Sequence, residues 1–229
     1  MVENEKGRTT MTEFEKMRNG LLYNGTDWEI IKKHARAFVL CEKYNKTSFI
    51  RIHRRQRLLK KIIPNSTDNA LVFSPFKVEY GENISLGDYF FSNFNCIMLD
   101  VAKITIGDNA MLGPNVTLAT PMHPLCHEER IVQDYPVGKI DLEYAKPITI
   151  GNNVWIASNV TIVGGVTIGD NVVIGAGSLV LNDIPSGVLA AGSPAKVIRE
   201  ITEEDKLDVW QTYLDEKPPI SKRDAKHLS

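Results

Sequence analysis

The feature that most constrains this chain is a six-residue rhythm that begins near Val78. Leu86, Ile106, Leu112, Leu118, Ile150, Ile156, Ile162, Ile168, Ile174 and Val180 share one phase. Two residues before each stands a second apolar side chain: Ile84, Ile104, Ala110, Val116, Ile148, Val154, Val160, Val166 and Val172, with Ser178 the exception. Strand side chains alternate, so both positions face the same way. A small residue usually follows, then Asn, Asp or Gly, as in Gly107-Asp108-Asn109 and Gly169-Asp170-Asn171. Such residues accept the left-handed backbone of a tight corner. Short strands that turn every six residues build a coil of triangular turns, stacked with parallel pairing. An antiparallel sandwich spaces its strands about 8–12 residues apart and does not hold phase. The expected class is mainly β, a parallel β-helix.

The phase breaks twice. From Met98 to Ile106 the spacing is eight, so Asp100–Lys103 carries an extra pair of residues. From Leu118 to Ile150 the break is far longer, and residues 121–147 must leave the coil as a protruding loop. Long loops on rigid scaffolds tend to carry function. This one opens Pro121-Met122-His123-Pro124-Leu125.

Residues 12–62 read as helical. Thr12 with Glu15 and Thr26 with Glu29 match capping boxes. Ile30, Ile31, His34, Ala35, Phe38 and Cys41 then recur at helical spacing, and a third helical stretch runs from about Phe49 to Ile63 before Pro64. The expected organisation is a tail (1–11), a helical subdomain (12–64), the β-helix (65–200) and a C-terminal extension (201–229). A solenoid must cap its ends, and the helical start and the segment after Ile201 are the candidates.

Composition enters through its unevenness. The chain has 229 residues and a net charge of −1, but residues 1–63 carry +8, residues 64–199 carry −6 and residues 200–229 carry −3. Arg51, His53, Arg54, Arg55, Arg57, Lys60 and Lys61 crowd one helical stretch. An anion-binding surface is the sharp reading and a solvated helix face the plainer one. No global basic field argues for nucleic acid. Thirteen of the 16 Gly lie between Gly81 and Gly192 and follow the corners. Three Cys without motif spacing, no secretory h-region and no apolar run of spanning length lead to expectations of free thiols, a cytoplasmic location and no membrane partner. Six Asn-x-Ser/Thr sequons, among them Asn115 and Asn159, read as turn residues rather than glycosylation sites.

Several stretches together resemble the maltose/galactoside O-acetyltransferase branch of the hexapeptide-repeat acyltransferases, from about Glu13 to Ile201. They are Asn19-Gly20-Leu21-Leu22-Tyr23, Phe90-Phe91-Ser92-Asn93-Phe94-Asn95-Cys96, Ile104-Thr105-Ile106-Gly107-Asp108-Asn109, Met122-His123-Pro124-Leu125, Pro147–Ile156 and Ala190–Arg199. The resemblance implies a left-handed β-helix, a homotrimer with active sites between subunits, and acetyl-CoA as cosubstrate without a metal. It implies transfer of acetyl to a hydroxyl of a maltose-, glucose- or galactoside-like sugar. His123 matches the family's general base, Asn93 the Asn near the tetrahedral intermediate and Glu143 a loop Glu beside the His. Ser158, Ala176, Leu181, Asn182, Lys196 and Arg199 fall at cofactor positions, and Trp155 reads as packing on the coenzyme or at the subunit contact. Glu79, Asp100 and Asp27 fall where acceptor contacts are expected. The chain departs from the pattern at Asn24 and Gly25, where relatives often carry an acid, around Val132–Lys139, and at Leu181-Asn182 and Lys196.

The chemistry suits these residues. A thioester is already activated, whereas a neutral hydroxyl needs a base that takes its proton during attack, worth about 10²–10⁴-fold. Histidine titrates in the right range, and Glu143 could hold its tautomer. A donor aimed at the developing oxyanion contributes about 2.7–4 kcal/mol; the backbone N–H near Ser158 and the amide of Asn93 are candidates. Other readings stay open: a non-catalytic trimeric scaffold, a non-sugar acceptor, a Cys126 thiol nucleophile, a His123/His127 metal site, or RNA binding by residues 51–61.

Overall fold

The computed structural model describes residues 2–3, 9–216, 218–221 and 223. Three helices precede the coil: α1 (Glu13–Arg18), α2 (Trp28–Asn45) and α3 (Ile52–Ile62). Thr12 caps α1 in the expected box, exchanging bonds of 3.1 and 2.9 Å with Glu15. At α2 the cap is Asp27 rather than Thr26: its carboxylate accepts the Glu29 N–H at 2.9 Å. The buried stripe of α2 is Ile30, Ala37, Cys41 and Tyr44, while Ile31, His34, Ala35 and Phe38 are exposed. Two apolar rows compete on this helix, and the solenoid end takes the one that continues to Tyr44.

The coil follows as a parallel solenoid with three faces. The first face stacks strands at 71–72, 91–92, 111–112, 155–156, 173–174 and 188–192. The second stacks 76–78, 96–99, 117–119, 161–163 and 179–180, and the third stacks 84–86, 104–106, 148–150 and 167–168. Every residue of the two apolar phases is at most 3% exposed, Ser178 included. Burial of this kind stabilises by about 1.5–3 kcal/mol per large aliphatic side chain. The Ser178 hydroxyl is satisfied by the Gly175 carbonyl (2.5 Å) and the Gly192 N–H (3.1 Å).

Three edges join the faces, and on two of them the corner chemistry repeats. Edge one, between the first and second faces, holds Asn95, Asn115 and Asn159 at φ of 60°, 61° and 58°. Edge three holds Asn109, Asn153 and Asn171 at 55–56°, with their amides bonded in a ladder at 3.1 and 3.0 Å. Close stacking also demands glycine: a Cβ on Gly107 would lie 2.5 Å from Asn152 Oδ1 and 2.8 Å from the Gly151 backbone.

Edge two, between the second and third faces, is irregular. The extra pair at Asp100–Lys103 has a counterpart one turn earlier, between Val78 and Leu86. Asp100 sits between these two wide corners with 0% exposure. Its carboxylate accepts the backbone N–H groups of Glu79 (3.0 Å), Tyr80 (2.8 Å) and Asn83 (3.2 Å).

The long loop leaves from edge two. Its neck closes through Lys146 N–H to Thr120 O (3.1 Å). Pro121–Met122 pairs antiparallel with Leu142–Ala145, which in turn pairs with Tyr23–Asn24. The tip carries a short helix, α4 (His127–Arg130), and a hairpin of 133–135 with 138–140. The C-terminal cap starts earlier than expected: Ala195–Glu200 folds back antiparallel on Val188–Gly192, before Ile201 is reached. A further helix, α5 (Val209–Leu214), follows.

Candidate active site

The candidate residues fall on two different edges. Asn93, Ser158 and Ala176 belong to edge one, stacked turn on turn: Gly177 N–H bonds Ser158 O at 2.9 Å, and Asn159 N–H bonds Pro114 O at 2.9 Å. Asn93 Oδ1 accepts the next backbone N–H, that of Phe94, at 2.8 Å, which leaves the amide donor of Asn93 uncommitted among the described hydrogen bonds. His123, Glu143, Glu79, Leu181 and Asn182 belong to edge two and its loop. Roughly four residues of strand, about 13 Å at about 3.3 Å each, separate the edges across the second face. One chain therefore does not bring Asn93 to His123.

His123 is exposed and directly follows Met122, whose partner across the ladder is Tyr144. One step further along that ladder stands Glu143. Among the described residues, Glu143 bonds not to His123 but to Tyr23, whose hydroxyl donates to Oε2 at 2.6 Å. Burial and this carboxylate push the Tyr23 phenol far above its ordinary range. Gly25 lies beneath the same carboxylate; a Cβ there would come 3.2 Å from its carboxyl carbon. The missing acid at Asn24-Gly25 thus coincides with the space that Glu143 fills.

Glu79 is half-buried at the same edge, 3.6 Å from His34 Nε2 of α2. Burial raises its carboxyl, the neighbouring Glu143 raises it further and His34 pulls it down. A cavity of about 270 Å³ opens beside it, between α2 and the second face, and His34, Phe38, Lys77, Ile97 and Leu99 contribute to its lining. A carboxylate, an imidazole and apolar walls together suit a small polyol with one polar and one apolar side.

Two acceptor candidates are placed elsewhere. Asp100 is sealed inside edge two, where it holds the backbone of 79–83, and touches no open space. Asp27 is the N-cap of α2. Tyr23 and His34, which do shape the neighbourhood of Glu143 and Glu79, are not singled out by sequence reading. Tyr23 lies within a matched stretch, but its role depends on pairing with a strand 120 residues away.

The comparisons agree with this architecture. Residues 16–66 match the maltose acetyltransferase hexapeptide capping motif, and residues 147–182 match the bacterial transferase hexapeptide (six repeats). The chain is 43% identical over 199 residues to the galactoside O-acetyltransferase of Escherichia coli K12, covering 87% of this chain and 94% of the relative. The chain belongs to the maltose/galactoside O-acetyltransferase family. A crystal structure of a maltose O-acetyltransferase from Clostridium difficile 630 superposes with a TM-score of 0.78 at 41% identity, covering 85% of this chain and all of that one. A galactoside acetyltransferase in complex with coenzyme A gives 0.76 at 43%, covering 86% and 94%.

Trp155 is half-exposed on the first face, and Ala176 and Lys196 are exposed near edge one and on the closing hairpin. Leu181 and Asn182 are exposed at edge two. Arg199 is held differently: its two terminal nitrogens reach both oxygens of Asp205 at 2.8 and 2.9 Å. Asp205 also accepts Arg223 Nε (2.9 Å) and the Thr202 N–H (2.8 Å), and these donors depress its carboxyl. The guanidinium thus anchors the C-terminal extension in this chain. No helix of the described residues is long and apolar enough to cross a membrane, and no metal-holding cluster occurs among them. Cys41 and Cys96 are buried thiols, and Cys126 is an exposed one.

Proposed function

We propose that this chain moves acetyl from acetyl-CoA to a hydroxyl of a small sugar, by direct attack, at a site made by two copies. The observation that carries the proposal is the separation of candidates onto two edges, joined to the family membership. A ring of three copies around an axis along the solenoid sets edge two of each copy against edge one of the next, a heterologous contact that closes. A second feature supports the ring. The outward column of the first face is apolar in every turn (Leu71, Phe91, Met111, Trp155, Val173, Leu189), whereas that of the third face is Ser85, Thr105, Thr149 and Thr167. Leu71, Met111 and Trp155 are 42–49% exposed in one chain, an apolar stripe suited to a neighbouring copy.

In this reading His123 of one copy takes the acceptor proton as the hydroxyl oxygen bonds to the thioester carbonyl carbon. The same imidazole returns the proton to the departing thiolate as the carbon–sulfur bond breaks. The amide of Asn93 and a backbone N–H near Ser158, both from the neighbour, hold the developing oxyanion. Glu143 orients the imidazole, with Tyr23 holding the carboxylate in turn. Glu79 and His34 face the acceptor. Trp155, Ala176, Leu181, Asn182 and Lys196 hold the coenzyme. The test is His123→Ala, followed by release of free thiol with maltose, glucose and galactoside acceptors. A loss of about 10²–10⁴-fold at unchanged sedimentation is expected. Near-normal turnover would overturn the role of His123.

A further inference from the structure

The helical subdomain closes the N-terminal end of the solenoid with one side only. Ala37, Cys41, Tyr44, Leu59, Ile62 and Ile63 turn inward to a core that includes Ala70, Val72 and Phe76. The opposite side of α2 and α3 carries cations. Three shallow cavities there are contiguous: one shares Lys61 with the second, the second shares Arg54 with the third, and the third shares Lys43 with the first. Lys43, Arg51, Arg54, Arg57 and Lys61 are exposed and make no ion pair among the described residues. The nearby acids are engaged elsewhere: Glu82 with Lys33 and Arg36, Asp68 with Lys60, and Glu42 with Lys46 at 4.0 Å. Arg55, by contrast, is buried and bonded to the Thr47 and Val72 carbonyls, so the stretch is not uniformly solvated.

A second, independent observation decides what such a surface meets. The turn between α2 and α3 exposes Phe49 (54%) and Ile50 (84%), and Ile52 (65%) is exposed at the start of α3, immediately beside Arg51 and Arg54. A free polyanion or an RNA backbone has no use for two bare isoleucines. A bilayer interface has, because apolar side chains enter the acyl boundary while the flanking cations meet anionic headgroups. We propose that the outer face of α2 and α3, with the Phe49–Ile52 turn as its tip, docks the protein on an anionic lipid surface. The sequence expectation of no membrane partner came from the lack of a spanning segment, and surface docking needs none.

The experiment is co-sedimentation of the full chain with phosphatidylcholine vesicles and with vesicles containing phosphatidylserine, at low and at raised salt. Retention only on the anionic vesicles, weakening with salt, is expected. The triple variant Arg54→Ala, Arg57→Ala, Lys61→Ala should weaken partitioning on the order of a hundredfold. The double variant Ile50→Ser, Ile52→Ser should weaken it at least about tenfold. Unchanged thiol release by both variants certifies the fold. The proposal is overturned by no retention on anionic vesicles or by equal retention on neutral ones. It is also overturned if the isoleucine variant binds as the parent does, or if the parent retains single-stranded RNA in preference to vesicles.

Discussion

Replacing Asp100 by Asn separates the acceptor contact expected from the sequence from the brace that the structure shows. One carboxylate oxygen accepts the N–H groups of Glu79 and Tyr80, and the other accepts that of Asn83. Asparagine keeps the first oxygen but turns an NH₂ toward the Asn83 N–H. One buried donor then loses its acceptor, at a cost of about 1–3 kcal/mol. Alanine would orphan all three, at roughly 3–5 kcal/mol. Burial pushes this carboxyl up to about 7, against the pull of the backbone donors. In the unfolded chain it titrates near about 3.9. A carboxyl raised on folding contributes stability that is complete below about pH 4 and is lost as the pH climbs toward 7. At its steepest this loss is about 1.4 kcal/mol per pH unit for one proton. Asparagine has no such proton, so the stability gap between parent and Asp100→Asn should be widest near pH 4 and narrow toward pH 7. Urea unfolding at fixed protein concentration, repeated across that range, measures the gap directly. The KM for the sugar acceptor should stay at the parent value. A gap that widens with pH refutes the upward shift of this carboxyl, and a variant of parent stability with a raised acceptor KM refutes the brace.

Two further expectations concern the scaffold. Met111→Glu puts a charge in the middle of the apolar first-face column, where Met111 is 48% exposed in one chain; sedimentation should shift toward monomer with little change in the circular dichroism of the coil. Gly107→Ala forces a Cβ to within 2.8 Å of the backbone above it; the resulting overpacking should cost about 1–3 kcal/mol, read as a lower urea midpoint.

The coil was legible because its physics is local. Two inward residues and a small corner residue recur whatever the rest of the chain does, and all the phased positions are buried. Asn109 and Asn115 could be read as left-handed corners for the same reason. Elements that depend on distant partners were less legible. The first wide corner, between Val78 and Leu86, hides because it falls where the rhythm begins, and the brace role of Asp100 needs both wide corners at once. The inner face of α2 needs the solenoid end to choose between two apolar rows. Tyr23 and Glu143 meet only because the loop returns to pair with the N-terminal strand. Arg199 stands at the end of the last matched segment, but its partner Asp205 lies beyond it, so the fork that ties the extension down was not legible from the matched residues.

The two-edge arrangement is itself a consequence of the repeat. Ser158 and Ala176 are three repeats apart, one full turn, and therefore share an edge, and Asn93 reaches it by way of the widened turn. His123 follows a second-face strand and can belong only to edge two. In the proposed function the base stands on one edge and the donors on the other, so that reading takes them from two copies, and complementation tests it. Asn93→Ala and His123→Ala subunits, each inactive alone, are unfolded together and refolded as a mixture. With random assembly from equal amounts, about one interface in four pairs an intact His123 with an intact Asn93. Thiol release should return to about a quarter of the parent value. A site assembled within one chain would leave every subunit short of one group, and the mixture would stay at the level of the separate variants.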